Sequence, residues 1–121
     1  MPREFPRSRR VGEEIRRIVS ESLRRDFQDP RLEFVSVTEV EVSGDLSQAR
    51  VYFSSLKGRE AASDAEKALR SSRARLRRTL ARQLKLRVVP ELRFEYDDSL
   101  DRGARISALL AGDASPGDDS A

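Results

Sequence analysis

Residues 63–96 read SDAEKALRSSRARLRRTLARQLKLRVVPELRFEY, and the way this stretch divides decides the fold. Ala65, Ala68, Leu69 and Ser72 share one stripe at helical spacing, and Leu76, Leu80 and Leu84 share a second. At about 100° per residue, a single straight helix measured from Leu76 puts Leu69, Leu80 and Leu84 between roughly 20° and 80°. Arg73 would then fall near ~60°, in the middle of the buried face. An unpaired guanidinium is expensive to bury, so a break over Ser71-Ser72-Arg73-Ala74 that turns Arg73 outward is expected, with Ser72, Arg73 and Ala74 as the kink. From Leu86 to Tyr96 the period changes to two: Leu86, Val88, Pro90, Leu92, Phe94 and Tyr96 alternate with Arg87, Val89, Glu91, Arg93 and Glu95. This is a strand, and Pro90, which cannot donate to a ladder, marks an edge position or a bulge. The stretch reads helix, kink, helix, strand.

Upstream, residues 1–7 (MPREFPR) hold two prolines and no periodicity, as in a flexible basic arm. From Ser8, which can cap a helix, Val11, Ile15, Ile18, Val19, Leu23 and Phe27 form one apolar stripe that Pro30 brings to an end. Leu32 to Val42 reads as a strand with uneven alternation: Phe34, Val40 and Val42 on one side, Val35 and Val37 with Glu39 and Glu41 on the other. Ser43-Gly44-Asp45 supplies a turn, and Ala49, Val51 and Phe53 against Arg50, Tyr52 and Ser54 complete a hairpin. A right-handed helical crossover then makes the second and third strands parallel neighbours. Downstream, Asp97-Asp98-Ser99 caps a short helix carrying Ile106, Leu109 and Leu110, and residues 111–121 form a disordered acidic tail. The order is α-β-β-α-α-β, an α+β domain over residues 8–110 with a three-stranded mixed sheet and a kinked central helix pair.

A length of 121 residues fits one domain. The chain has no cysteine, histidine or tryptophan, which removes thiol catalysis, disulfides, Cys/His zinc sites and any serine–histidine pair. Its apolar runs fall far short of the roughly 20 residues that span a bilayer, and no secretory apolar core opens the chain, so a soluble cytoplasmic protein with no membrane partner is expected. The net charge of +3 conceals a steep gradient: residues 1–69 carry 13 basic and 13 acidic groups, residues 70–93 carry 9 and 1, and residues 94–121 carry 2 and 7. So basic a block is the footprint of a polyanion, most commonly nucleic acid. The alternative is the solvated helix face of an arginine-rich protein.

The candidate RNA-binding residues are Arg70, Arg73, Arg75, Arg77, Arg78, Arg82, Lys85 and Arg87, joined by Arg9 and Arg10 near the N-terminus. On the same wheel Arg75, Arg78, Arg82 and Lys85 lie between roughly 180° and 260°, opposite the leucines, as one exposed stripe. Lys57, Gly58 and Arg59 are a weaker candidate, since a hairpin exit is commonly polar. Arg16, Arg17, Arg24 and Arg25 interleave with Glu13, Glu14, Glu21 and Asp26 and read as a self-neutralising surface. Phe34, Phe53 and Phe94 are assigned to the core rather than to base stacking. Asp97, Asp98 and Asp101 have the DDxxD spacing of magnesium-binding isoprenoid enzymes, but a helix cap explains them with less, so no metal or catalytic residue is expected.

The element order is that of a type II KH domain, yet the GxxG loop of KH modules is replaced by Ser71-Ser72-Arg73-Ala74. The chain resembles the bacterial ribosome-binding factor A family, KH-like proteins whose central helices meet at a kink without GxxG. The resemblance rests on Asp29-Pro30-Arg31-Leu32 before Phe34-Val35-Ser36-Val37-Thr38, and on the hairpin words from Val42 through Gly44-Asp45 to Tyr52. It continues in Leu86 to Phe94, in Tyr96-Asp97-Asp98-Ser99, and in Arg102-Gly103-Ala104-Arg105-Ile106 with Leu109-Leu110, covering residues 8–110. Ala74 stands where many members carry a kink glycine. What the resemblance implies is a monomeric late assembly factor of the 30S subunit that contacts 16S rRNA and aids 5′-end maturation, with no catalysis and no cofactor. A stand-alone KH-like module for single-stranded RNA is the alternative.

Overall fold

The computed structural model describes residues 6–98. Helix α1 spans Pro6–Arg25, and a 3₁₀ turn at Pro30–Leu32 leads into strand β1, Val35–Val42. Strand β2 is Gln48–Ser55, and a second 3₁₀ turn, Arg59–Ala61, runs into helix α2, Ala62–Ser71. Helix α3, Arg73–Gln83, follows after one residue, and β3, Glu91–Tyr96, closes the sheet. The sheet order is β1-β2-β3, with β1 antiparallel and β3 parallel to β2, as the crossover argument requires. This α-β-β-α-α-β mixed-sheet arrangement is the type II KH-like fold.

The helices supply Val11, Ile15, Ile18, Val19 and Leu23 from α1, Ala65, Ala68 and Leu69 from α2, and Leu76 and Leu80 from α3 to one core. Against them the sheet presents Val37, Ala49, Val51, Phe53, Leu92 and Phe94. Helix α1 packs on β1 and α3, while α2 packs on β3 and the first 3₁₀ turn. Gly12 lets α1 approach the sheet closely: a Cβ there would stand 2.7 Å from the Val40 carbonyl oxygen.

Several expectations shift. Helix α1 begins at Pro6 rather than Ser8, because proline's fixed φ suits a first helical turn. Ser8 is accordingly buried inside the helix, and Arg7, Arg9 and Arg10 stand on its first turns instead of a loose arm. The helix also stops at Arg25, four residues before Asp29, so Phe27 lies beyond it. Asp29, extended at φ −80° and ψ 120° as a residue before proline must be, accepts hydrogen bonds from the Arg31 amide (2.9 Å) and guanidinium (2.7 and 3.0 Å). Those bonds from Arg31 hold the Asp29 carboxyl below the usual carboxylate range.

The uneven alternation of β1 is a bulge. The register slips between Val37 and Glu39, so Thr38 is the extra residue, and Val35, Val37, Val40 and Val42 all face the core. Phe34 falls outside the strand, 37% exposed, with the Lys57 ammonium 4.9 Å from its ring centroid, so it is not a core residue. Strand β3 is shorter than its sequence alternation: residues 84–90 are irregular, Pro90 immediately precedes the ladder, and Val88 is 64% exposed. The expected arm at residues 1–5, the terminal helix with Ile106, Leu109 and Leu110, Asp101, and the tail at 111–121 lie outside the described residues.

Candidate nucleic-acid interface

The break between α2 and α3 is made by serines. The Ser72 amide donates to the carbonyls of Ala68 (3.0 Å) and Leu69 (3.1 Å), and the Ser72 hydroxyl donates to Ala68 again at 2.8 Å. The Ser71 hydroxyl takes the same oxygen at 2.9 Å. Side-chain hydroxyls that bond back into the preceding turn bend helices, so this kink forms without glycine. Ser72 sits at φ −93°, ψ −1°.

The break does not turn Arg73 outward as expected. The Leu76 amide still reaches the Ser72 carbonyl (2.9 Å), so the helical phase carries through and Leu69, Leu76 and Leu80 stay on one buried face with Arg73 at its margin. Arg73 is half-buried, its guanidinium carbon 5.8 Å from the centroid of Phe94. Its stem buries along the sheet while the head is stabilised on the ring face. Its Nε is buried with no hydrogen-bond partner, the one such side-chain atom among the described residues.

Arg70, Arg75, Arg77, Arg78, Arg82, Lys85 and Arg87 are all exposed, but they do not form a single stripe. Arg70, Arg73, Arg77, Arg78 and Arg87 line one groove of about 780 Å³ between the kink and residues 87–89, with Ala74, Ala81, Val88 and Val89 among its other lining residues. On the wheel this flank of α3 runs from about 100° to 200°. Arg75 and Arg82 occupy the next sector, where Arg75 lies over the ring of Phe27 (4.6 Å to the centroid) and Arg82 donates to the Thr79 hydroxyl at 3.5 Å. Arg9 borders a different groove, with Glu13, Glu39, Glu41, Arg50 and Arg93, and Arg10 is exposed on α1. Phe27 and Phe94, the pads beneath two arginines, were not legible as such in sequence, nor was Val88 as an exposed wall.

Among the described residues, Arg70 alone of the eight cations at 70–87 has a carboxylate within 4 Å, Glu66 at 3.2 Å. Elsewhere among the described residues several basic groups have carboxylate partners. On α1, Arg16 pairs with Glu13 (3.1 Å), Arg17 with Glu21 (3.6 Å) and Arg25 with Asp26 (3.5 Å). On the open face of the sheet, Tyr52 donates to Glu41 (3.1 Å), Arg50 donates to Tyr52 (3.3 Å) and pairs with Glu95 (3.7 Å), and Arg93 donates to Gln48 (3.1 Å). Asp97 accepts from Thr38 at 2.7 Å and Asp98 pairs with Arg59 at 3.1 Å, so both acids tie the end of β3 to the fold. No group of three potential metal ligands occurs among the described residues. No described helix is long and apolar enough to cross a membrane.

The fold and the basic cluster on and beside α3 define a KH-like domain that lacks the GxxG phosphate loop. The chain belongs to the ribosome-binding factor A family: the family model described as Ribosome-binding factor A matches residues 7–110. Curated relatives include the ribosome-binding factor A of Methylobacillus flagellatus, 47% identical over 111 residues (91% of this chain, 86% of the relative). That of Thioalkalivibrio sulfidiphilus is 44% identical over 110 residues (91% and 85%). Among solved structures, the crystal structure of the Thermus thermophilus factor superposes with a TM-score of 0.66 at 29% identity, covering 74% of this chain and 93% of that one. A T. thermophilus homology model fitted into the cryo-EM map of a complex of the 30S subunit with the factor gives 0.63 at 28% identity, over 75% and 96%.

Proposed function

We propose that this chain is an assembly factor that binds the free 30S subunit through the basic flank of α3, contacts 16S rRNA and promotes its late maturation, including 5′-end processing. It acts in the cytoplasm as a monomer, by occupying and reshaping RNA, without catalysis or a cofactor. The observation that carries this reading is the concentration on and beside α3 of exposed cations that, Arg70 apart, have no carboxylate within 4 Å among the described residues, in a family member whose α1 and sheet face carry several ion pairs. A guanidinium pairs phosphate oxygens two at a time and stacks on unpaired bases. The relative fitted to a 30S map supports the partner.

Sedimentation with purified 30S subunits tests it. Phosphate contacts release counterions, so six such contacts weaken association about 10³-fold between 50 and 200 mM salt. Replacing Arg75, Arg78 and Arg82 together by glutamate removes co-sedimentation and leaves the folded circular dichroism spectrum unchanged, since all three are exposed, while loss of the Arg75 contact with Phe27 lowers Tm by a few degrees at most. Retained binding by that variant, or binding indifferent to salt, overturns the interface. Equal affinity for a short unstructured RNA would instead identify a general single-strand binder. Maturation is read from 5′-extended 16S precursor in a strain lacking the factor, which wild type clears and the triple variant does not.

A further inference from the structure

We propose that the free edge of β1 takes an added strand from an extended basic peptide, which pairs with Val35 and Val37 and places its alternate side chains in the groove between that edge and the end of α1. No residue of α3 lines this groove, and the inference does not rest on the RNA reading.

The sheet order β1-β2-β3 leaves β1 with one strand neighbour among the described residues. The Leu56 amide donates to the Phe34 carbonyl (3.0 Å), and the register continues Val35↔Ser55, Ser36↔Ser54 and Val37↔Phe53. Bonded and non-bonded pairs alternate along an antiparallel ladder, so Phe34 and Ser36 bond to β2, whereas the N–H and C=O of Val35 and Val37 point to the open edge. The Asp97 amide agrees with this phase: it donates to the Phe53 carbonyl (2.7 Å), so Phe53 turns its backbone to β3 and away from Val37. No backbone bond outside the helices and ladders takes up Val35 or Val37 among the described residues. Such an edge is a template for one more strand, lying about 4.8 Å away. Beside it opens a groove of about 570 Å³, lined by Leu23, Phe27, Leu32, Val35 and Val37. Residues directly opposite on paired strands share a face, so apolar side chains of an added strand that pair with Val35 and Val37 enter this groove.

Charge selects the occupant. Residues 32–49 carry Glu33, Glu39, Glu41 and Asp45 and no lysine or arginine. Glu33 lines the groove, and Glu39 follows the bulge at Thr38. Both are exposed, and neither has a cation within 4 Å among the described residues. Arg24, on the α1 wall, is the one cation in the lining. A second copy paired through the same edge would bring Glu33 and Glu39 of both chains together, and like charges on neighbouring strands repel. A strand with lysine or arginine at its polar positions meets the same glutamates favourably. They therefore act against self-pairing and for a basic partner.

The test is NMR titration of the ¹⁵N-labelled full chain with the synthetic peptides KVTVKVTK and EVTVEVTE. The first should shift the Val35 and Val37 amides saturably and slow their exchange with solvent about tenfold. The second should bind about tenfold more weakly. KVTVKVTK with N-methylated valines keeps its charge and side chains but cannot donate to the edge, and should give no response. Glu33→Lys combined with Glu39→Lys, both at exposed sites, should reverse the preference between the two peptides. Val35→Pro removes an edge N–H that β2 does not use and should abolish binding; should that variant melt early, the charge swap decides alone. No saturable shift with either peptide, an active N-methylated peptide, or shifts confined to residues outside 20–42 overturns the added strand. Equal binding of the two peptides, or an unchanged preference in the charge-swapped variant, overturns the basic occupant.

Discussion

Gly12→Ala sets two effects of opposite sign against each other, and the structure decides between them. In the middle of a helix, alanine is favoured over glycine by about 1 kcal/mol. At Gly12, however, the new Cβ would meet the Val40 carbonyl oxygen at 2.7 Å and the Val42 Cγ2 at 3.5 Å. The first contact is with strand backbone, which cannot swing aside as a side chain can. Restoring a separation of ~3.4 Å requires α1 to lift by about 0.7 Å, a gap that forfeits a quarter to a half of each dispersion contact it opens. Val11, Ile15 and Val19 move with it, and all are buried. Overpacking costs about 1–3 kcal/mol, and an unyielding backbone obstacle places this case in the upper part of that range, at about 2–3 kcal/mol. The net expectation is a loss of about 1–2 kcal/mol, or a fall in Tm of about 4–8 °C for a chain of this size. Urea unfolding followed by circular dichroism measures it directly, with the m value reporting whether the denatured state has changed. A variant as stable as wild type, or more stable by the helical preference alone, would refute the close packing of α1 on β1. Binding to 30S should fall less than threefold, because no candidate contact residue is altered.

Arg73→Met removes a half-buried guanidinium whose Nε has no partner, so Tm should hold or rise by the equivalent of up to about 1 kcal/mol while 30S affinity drops at least tenfold; a destabilised variant would make the contact with Phe94 structural instead. The carboxyls of Asp29, held down chiefly by the Arg31 side chain, and Asp45, held down chiefly by the Ser43 hydroxyl, have folded pKa values below their unfolded ones. Their stabilising effect is therefore complete above the unfolded value of about 4 and is lost as pH falls through the folded values. Asp29→Asn with Asp45→Asn should flatten that acid limb in urea midpoints measured from pH 7 to pH 2.5, and an unchanged limb would show that these bonds do not persist in solution. Thr38→Val deletes the 2.7 Å bond to Asp97 at an exposed site. It should cost about 1 kcal/mol by thermal melt, and no change would mean that Asp97 anchors β3 without it.

The helices and the hairpin were legible because each buries a face whose spacing the chain repeats without interruption, as in Val11, Ile15, Ile18 and Val19, or Ala49, Val51 and Phe53. Legibility failed where one residue breaks the phase. The bulge at Thr38 reverses the faces of β1 midway, so Val35 and Val37 looked opposed to Val40 and Val42 although all four face the core. Leu86 to Pro90 continue a period of two and still form no ladder, because pairing with β2 begins only at Gln48 and Glu91. The basic cluster was visible as charge, and its exposure followed from the leucines opposite. Its division into a groove flank and a flank resting on Phe27 was not visible, since it depends on where the irregular segment at 84–90 returns past α3. Arg73 was misplaced for a related reason: the wheel shows that the position is costly, but only the structure shows Phe94 beneath it.

The serine-built kink bears on how this family member can hold RNA. At a GxxG loop, bare backbone comes up to the phosphates. Here the Ser71 and Ser72 hydroxyls and the Ser72 amide all point back to carbonyls of the preceding turn, so none of the three is available to a ligand. Anion recognition at the kink therefore passes to side chains, and the side chains present are arginines. Guanidinium groups on long stems reach phosphates over a wider range of positions than a rigid loop does, and each contact carries its own counterion term. The paired charges on α1 and on the open sheet face contribute little long-range field of their own. The densest run of unmatched cations among the described residues lies on and beside α3, and it orients the molecule as it approaches a polyanion. A domain built this way gains its steering and its salt sensitivity from the same arginines.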